Sequence, residues 1–308
     1  MKLEGIHHIT CITADAPGNV EFYVGVLGLR LVKKSVNQDD PTVYHLFYAD
    51  EKGSAGSDIT FFEYPGAGRG RAGAGMIHVI TWRVSSEEAL DFWEQRLAGG
   101  GIETTHADGR LRFEDPEGLG LELAVVESDD EPLIASHPEI PAELALQGFD
   151  GVRAYAQNPE ASRPLLEEAL EFEARGADGW EARGGQRGGL YGYDEPPAES
   201  GIGGAGSVHH VAWASTMDEH EAWRERVASA GARPTPVIDR FYFRSIYFRE
   251  PSGVLFEIAT LGPGFTTDEP LESLGERLAL PPNYEPLRDR LEEQLTPLPD
   301  PRAAWTVN

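Results

Sequence analysis

Two histidine pairs, His7-His8 and His209-His210, stand at equivalent points of strand-like runs 202 residues apart. A third residue, Glu257, sits between Phe256 and Ile258, where a buried carboxylate needs a partner. Strand alternation sends every second side chain to one face. With His8 inward, Thr10 follows it and His7 turns away; with His210 inward, Ala212 and Ala214 share its face. Two imidazoles and one carboxylate converging on a concave surface make the ligand set of a non-haem Fe(II) facial triad, which leaves three positions open; the set also suits Mn(II), Ni(II) or Zn(II). A lone strand histidine is more often structural than ligating, but the doubled pairs together with Glu257 favour a metal held by His8, His210 and Glu257.

The turn Glu250-Pro251-Ser252-Gly253 extends this set. With a bulge at Gly253, Tyr247 falls opposite Glu257 and Arg249 opposite Leu255, both on the inner face. A hydroxyl and a guanidinium beside a metal suit an anionic oxygen substrate. His78 and Glu122 form a similar pair without a third ligand, 44 residues apart where His210 and Glu257 are 47 apart, and read as a vestige of duplication. His45, His106, His137 and His220 have no evident partners and read as structural. The glycine-rich run 66–71 does not follow a strand into a helix as a phosphate cradle requires, and no serine nucleophile elbow is present.

The elements that must position these residues repeat four times along the chain. Strand-like residues 8–13 lead through Ala14-Asp15-Ala16-Pro17 into a helical stretch around 20–24, then into strand-like runs 30–35, 43–48 and 58–64. The order recurs as a strand at 76–82, a helix at 86–97 with Ser85 or Ser86 as its cap, and a hairpin around Asp115-Pro116-Glu117-Gly118. A weaker copy spans 149–193 and carries no matching His or Glu. The clearest copy has a strand at 207–214, a helix at 217–231, and strands at 241–248 and 254–259. The predicted fold is α+β, with four βαβββ modules paired into two domains of curved, partly open β-barrel type. The pairs are placed at residues 1–130 and 145–260, followed by a tail at 261–308 with one helix near 286–295.

The chain of 308 residues is 40% hydrophobic, enough for a real core. Its 52 acidic and 26 basic residues give a net charge of -26, which disfavours nucleic acid and anionic membrane surfaces as partners. No run of ~18 apolar residues is present, and the start lacks the apolar stretch of a secretory signal, so a cytoplasmic location is expected. Cys11 is the single cysteine, which excludes a disulfide framework within one chain. Lysine occurs only at positions 2, 33, 34 and 52, and this acidic, lysine-poor composition resembles that of proteins from salt-accumulating cells.

The segments Gly5-Ile6-His7-His8-Ile9-Thr10, Tyr44-His45-Leu46-Phe47-Tyr48-Ala49-Asp50, His209-His210 and Leu255-Phe256-Glu257 resemble the vicinal oxygen chelate superfamily of glyoxalases, bleomycin-resistance proteins and extradiol dioxygenases. With the tail segment from Leu261 to Glu269 and Leu274-Gly275-Glu276, the chain most closely resembles the hydroquinone-type ring-cleaving dioxygenases. The resemblance implies the same metal trio, His8, His210 and Glu257, with His7, Thr10, His209, Arg240 and Tyr247 around it. It further implies Fe(II) over Mn(II) or Zn(II), because one-electron chemistry with O2 is required. A small hydroquinone or catechol-type aromatic and O2 would be the substrates, Arg240 would hold substrate charge, and His209 or Tyr247 would act as the acid. Placing His7 and His209 near the site conflicts with strand parity unless a bulge intervenes. A glyoxalase-like lyase using Zn(II) or Ni(II), and a protein that sequesters an aromatic or quinone, remain open readings; a homo-oligomer is compatible with all three.

Overall fold

The computed structural model describes residues 1–176 and 179–305. Module one comprises β1 (Ile6–Thr13), α1 (Ala16–Val20), β2 (Arg30–Asn37), β3 (Asp40–Ala49) and β4 (Asp58–Glu63). Module two has β5 (Ile77–Val84), α2 (Glu87–Gly99), β6 (Thr104–Ala107), β7 (Arg110–Glu114) and β8 (Gly120–Val125). Module three has β9 (Phe149–Tyr155), β10 (Glu173–Ala174), β11 (Gly179–Arg183) and β12 (Gly188–Asp194), its helix replaced by a π-type turn at Pro164–Ala169. Module four has β13 (Ser207–Ser215), α3 (His220–Ser229), β14 (Ile238–Asp239), β15 (Phe243–Arg249) and β16 (Leu255–Pro263); the tail carries α4 (Arg288–Gln294).

The α+β class and the four modules stand as expected, but the partners do not. Two eight-stranded sheets run β14-β15-β16-β13-β1-β4-β3-β2 and β10-β11-β12-β9-β5-β8-β7-β6. Module one therefore pairs with module four, and module two with module three, which corrects the division at 1–130 and 145–260. The physical reason lies in the first strand of each module: inside its own module it pairs on one side only, with the last strand, and its other edge must be covered. β1 meets β13 antiparallel, with His8 opposite Ala212 and Thr10 opposite His210. β5 meets β9 in the same way, with Val79 opposite Arg153 and Thr81 opposite Gly151.

The longer helices pack on the sheets, α2 against β6, β7 and β8 and α3 against β16. Ser86 caps α2 by accepting from the Ala89 amide, a contact worth about 1 kcal/mol. Ala89, Leu90, Trp93 and Leu97 line the buried face of α2 at helical spacing. Trp93, fully buried, also donates from Nε1 to the Leu144 carbonyl, so its truncation to alanine costs about 3–5 kcal/mol. The expected helix around residues 20–24 is a short α1 that widens into a π-type turn at Glu21–Val26.

The tail packs on the sheet of modules one and four. Gly275 (φ 77°) lies so close to Leu31 that a Cβ would overlap the Leu31 carbonyl. Among the described residues no helix is long and apolar enough to cross a membrane.

Candidate metal centre

The pairing of β1 with β13, and of β13 with β16, brings the three predicted ligands to one point. His8 Nε2 lies 3.3 Å from His210 Nε2 and 3.2 Å from Glu257 Oε2, and His210 Nε2 lies 2.8 Å from the same oxygen. All three side chains are buried. Edges of about 3 Å are those of one face of an octahedron with metal–ligand bonds of about 2.1 Å. Neither oxygen of Glu257 receives an aligned hydrogen bond, despite the short approach of His210. A cation would satisfy a fully buried carboxylate left in that state, and the N,N,O donor set fits a divalent metal. Burial alone would push the Glu257 carboxyl up, but the His8 and His210 imidazoles outweigh it and hold it well below the usual range.

The neighbouring histidines set the tautomers of the ligands. His7 Nε2 lies 3.1 Å from the Thr260 carbonyl, which can only accept, so the His7 proton is on Nε2 and its Nδ1 accepts. His8 Nδ1, 2.9 Å away, must then donate to His7 Nδ1, leaving the His8 Nε2 lone pair facing the centre. Burial, followed by the adjacent His8, lowers His7 to about 3, which keeps it neutral for this role. On the other side His209 Nδ1 lies 2.7 Å from His210 Nδ1 and orients it in the same sense. The parity conflict over His7 is resolved by a bulge: the β1–β13 register shifts between Ile6 and His8. His209 remains exposed and reaches His210 only through its own ring.

A cleft of about 440 Å³, including space open to solvent, adjoins His8 and His210 and is lined as well by Phe47, Phe62, Tyr242, Phe243 and Tyr247. As expected, Tyr247 pairs with Glu257 and Arg249 with Leu255. Burial, then the nearby Glu257, pushes the Tyr247 phenol well above its ordinary value, so it stays protonated. Arg249 does not enter: it is exposed and donates to the Gly253 carbonyl. Arg240 lies on the cavity wall with its guanidinium over the Tyr247 ring, yet both its Nη atoms bind Asp39 at 3.0 and 2.9 Å. Gln38 also donates to the Arg240 carbonyl, so the β2–β3 hairpin is tied across the cavity mouth to module four. Thr10 is buried behind the wall, where Thr60 donates to it at 2.8 Å.

His45, expected to be structural, lines the cavity and binds Thr60 Oγ1 through Nε2 at 2.9 Å. Alternation along β3 could have found it, since His45 and Phe47 share a face. His220, likewise expected to lack a partner, binds Ser215. His78 and Glu122 do not meet. His78 stacks on Tyr155 and binds Asp194, whereas Glu122 is clasped by Arg110, Arg112 and Thr81.

A profile of the Glyoxalase/Bleomycin resistance protein/Dioxygenase superfamily matches residues 5–123 and 148–258. The chain is 41% identical to MhqO of Bacillus subtilis, a protein assigned as a ring-cleaving dioxygenase, over 96% of this chain and 97% of the relative. It is 34% identical to a chlorohydroquinone/hydroquinone 1,2-dioxygenase of Sphingobium indicum, covering 94% and 95% of the two chains. A crystal structure of a Bacillus subtilis protein assigned as a dioxygenase superposes with a TM-score of 0.90 at 40% identity, covering 97% of this chain and 98% of that one. Glyoxalase I from Zea mays shares the fold, with a TM-score of 0.57 at 14% identity over 83% of this chain and 92% of that one.

Proposed function

The chain belongs to the glyoxalase/bleomycin resistance protein/dioxygenase superfamily, and on that footing we propose that it is a non-haem Fe(II)-dependent ring-cleaving dioxygenase acting on a hydroquinone or catechol-type aromatic. The observation that carries the reading is the buried N,N,O face of His8, His210 and Glu257 opening onto an aromatic-lined cavity. When bound, Fe(II) supplies the one-electron chemistry that lets O2 react with an aromatic ring. The residues of the chain do the rest. Phe47, Phe62 and Phe243 present ring faces and edges to a flat apolar substrate and exclude water.

His7 and Thr10 keep their neighbours in place, and His209 fixes His210. Tyr247, kept protonated beside Glu257, holds a proton at its hydroxyl for an anionic oxygen that develops on the substrate. His209 Nε2 is the second group able to deliver one. Arg240 meets substrate charge only as far as Asp39 releases it, so its first task is to close the mouth.

Anaerobic reconstitution with Fe(II), followed by oxygen uptake on hydroquinone and catechol, tests the proposal. One O2 consumed per ring opened is expected, with a yellow product. Turnover that runs with Zn(II) and without O2 would instead mark a glyoxalase-like lyase, and binding with no turnover would mark a sequestering protein.

A further inference from the structure

In the cavity wall opposite the three ligands stands a histidine whose hydrogen-bond roles are fixed by the residues behind it. Thr60 has a single hydroxyl hydrogen and gives it to Thr10. The remaining contact of Thr60 Oγ1 is with His45 Nε2, which must therefore be the donor. A neutral imidazole with its proton on Nε2 has an acceptor lone pair on Nδ1. That atom has no partner among the described residues, and His45 lines the cavity. The ring is held between Phe47 and Phe62, at centroid distances of 3.9 and 4.4 Å, so its direction is fixed as well as its tautomer. Burial, with the charges of His8 and His210 next, lowers His45 well below the usual histidine value, in agreement with a neutral ring.

Resting on the dioxygenase reading above, we propose that His45 is a specificity-determining residue: its Nδ1 accepts the hydrogen of the ring hydroxyl at the far end from the metal face and so selects 1,4-dihydroxylated aromatics. Geometry supports the spacing. β3 lies two strands from β1 in the order β1-β4-β3, about 10 Å at the usual strand separation. One metal–oxygen bond, a para diol and one hydrogen bond together reach about as far. A 1,2-diol places its two hydroxyls side by side and leaves none to reach β3. Module four carries no imidazole there: by register Ser245, which does not line the cavity, stands opposite Ala259 in the place that His45 holds opposite Phe62. The acceptor is thus a feature of one wall only, which gives the cavity a direction.

The experiment is anaerobic calorimetric titration of the Fe(II)-loaded enzyme, wild type, His45→Leu and His45→Gln, with hydroquinone, 4-methoxyphenol, phenol and catechol. Oxygen uptake is measured on the same preparations. The wild type should bind hydroquinone about tenfold more tightly than 4-methoxyphenol, which has the far oxygen but no hydrogen to give. In His45→Leu this preference should vanish, with KM for hydroquinone raised about tenfold and phenol binding unchanged. His45→Gln, which keeps an acceptor, should recover part of it. Equal weakening for phenol and hydroquinone, or a preference that survives in His45→Leu, would overturn the assignment while oxygen uptake by the wild type left the dioxygenase reading intact. A wild type that takes up no oxygen with any of these phenols would remove both.

Discussion

In the sheet of modules one and four, the residue two before the partner of the last-strand carboxylate is a candidate ligand: Glu257 pairs with Ala212, and His210 stands two residues earlier. In the sheet of modules two and three Glu122 occupies the same place, paired with Thr81, and two residues earlier stands Val79. The antiparallel join continues the correspondence, since His8 faces Ala212 in one sheet and Gly151 faces Thr81 in the other. Both imidazole positions of the second sheet are therefore apolar or empty of side chain. Tyr247, opposite Glu257, is replaced by Arg112, opposite Glu122. The same buried carboxylate is a candidate metal ligand beside two imidazoles in one sheet and a structural counter-ion between guanidinium groups in the other. Burial would push Glu122 up, but Arg112 and Arg110 hold it below its ordinary value with no metal needed.

The largest test of that contrast is metal content. Glu257→Ala should weaken Fe(II) binding on the order of 100-fold or more, since even residues behind a ligand cost 10–100-fold. Glu122→Ala should retain one iron per chain. Iron analysis after anaerobic loading and dialysis decides it, and equal loss in the two variants would break the contrast.

A second asymmetry is the tail, whose described residues pack on the sheet of modules one and four. Lys33 is fully buried under it, bound to Asp268 (2.7 Å), to Glu269 and to the Phe265 carbonyl, with its ammonium 4.9 Å from the Tyr242 ring centre. Lys33→Met would leave the buried carboxylate of Glu269 with only the exposed Arg277, 3.6 Å from its other oxygen, and should cost about 3 kcal/mol in denaturant unfolding. The half-exposed Arg112 on the other sheet offers the control, because Arg112→Met leaves Arg110 on Glu122 and should cost about 1 kcal/mol or less. Similar losses for both would show that the tail does not lock the sheet.

Much of this was legible in the chain. The His8, His210 and Glu257 set and the Tyr247–Glu257 register followed from residue types, alternation and one Gly turn. The module partners did not follow, because strand pairing between modules is a long-range choice that adjacent copies in sequence do not reveal. Yet the ligands carried the answer: His8 belongs to module one and its partners to module four, which only the observed pairing can join. The His78 spacing was informative too. It stands three residues before the partner of Glu122, not two, and an odd slip sends a strand residue to the other face. His45 was missed because its partner, Thr60, lies on a neighbouring strand in the place of a carboxylate ligand, and the one mark in its own strand is the face that it shares with Phe47.

The acid-Pro-x-Gly turns of modules two and four also diverge. Glu250 is buried with Ser162, Tyr193 and two turn amides around it. Asp115 has the Glu117 and Leu119 amides and the Tyr23 hydroxyl, and burial still pushes it up to about 6. A folded-state value above the unfolded one means that the native protein holds this proton more tightly. The stability it supports is present below about pH 4 and is lost as pH rises through about 6, up to about 3 kcal/mol. Asp115→Asn keeps a neutral side chain at every pH. The stability difference between variant and wild type should grow in its favour across that window, and a flat difference in unfolding free energy would place the carboxyl's cost elsewhere.

The smallest expected effect separates the two halves of the metal site itself. His7 is buried and anchored at both ends, to Thr260 and to His8, whereas the exposed His209 is anchored only to His210. A fixed acceptor holds the proton of its neighbour in one direction; an acceptor free at its far nitrogen can turn away and be replaced by water. His7→Phe should therefore weaken Fe(II) affinity toward 100-fold and His209→Phe nearer to tenfold, read by competition with a chelator. His7→Gln, whose carbonyl can accept from His8 Nδ1, should restore part of the loss. A larger effect at His209 would mean that the ligand on β13, and not the one on β1, is the tightly oriented member of the pair.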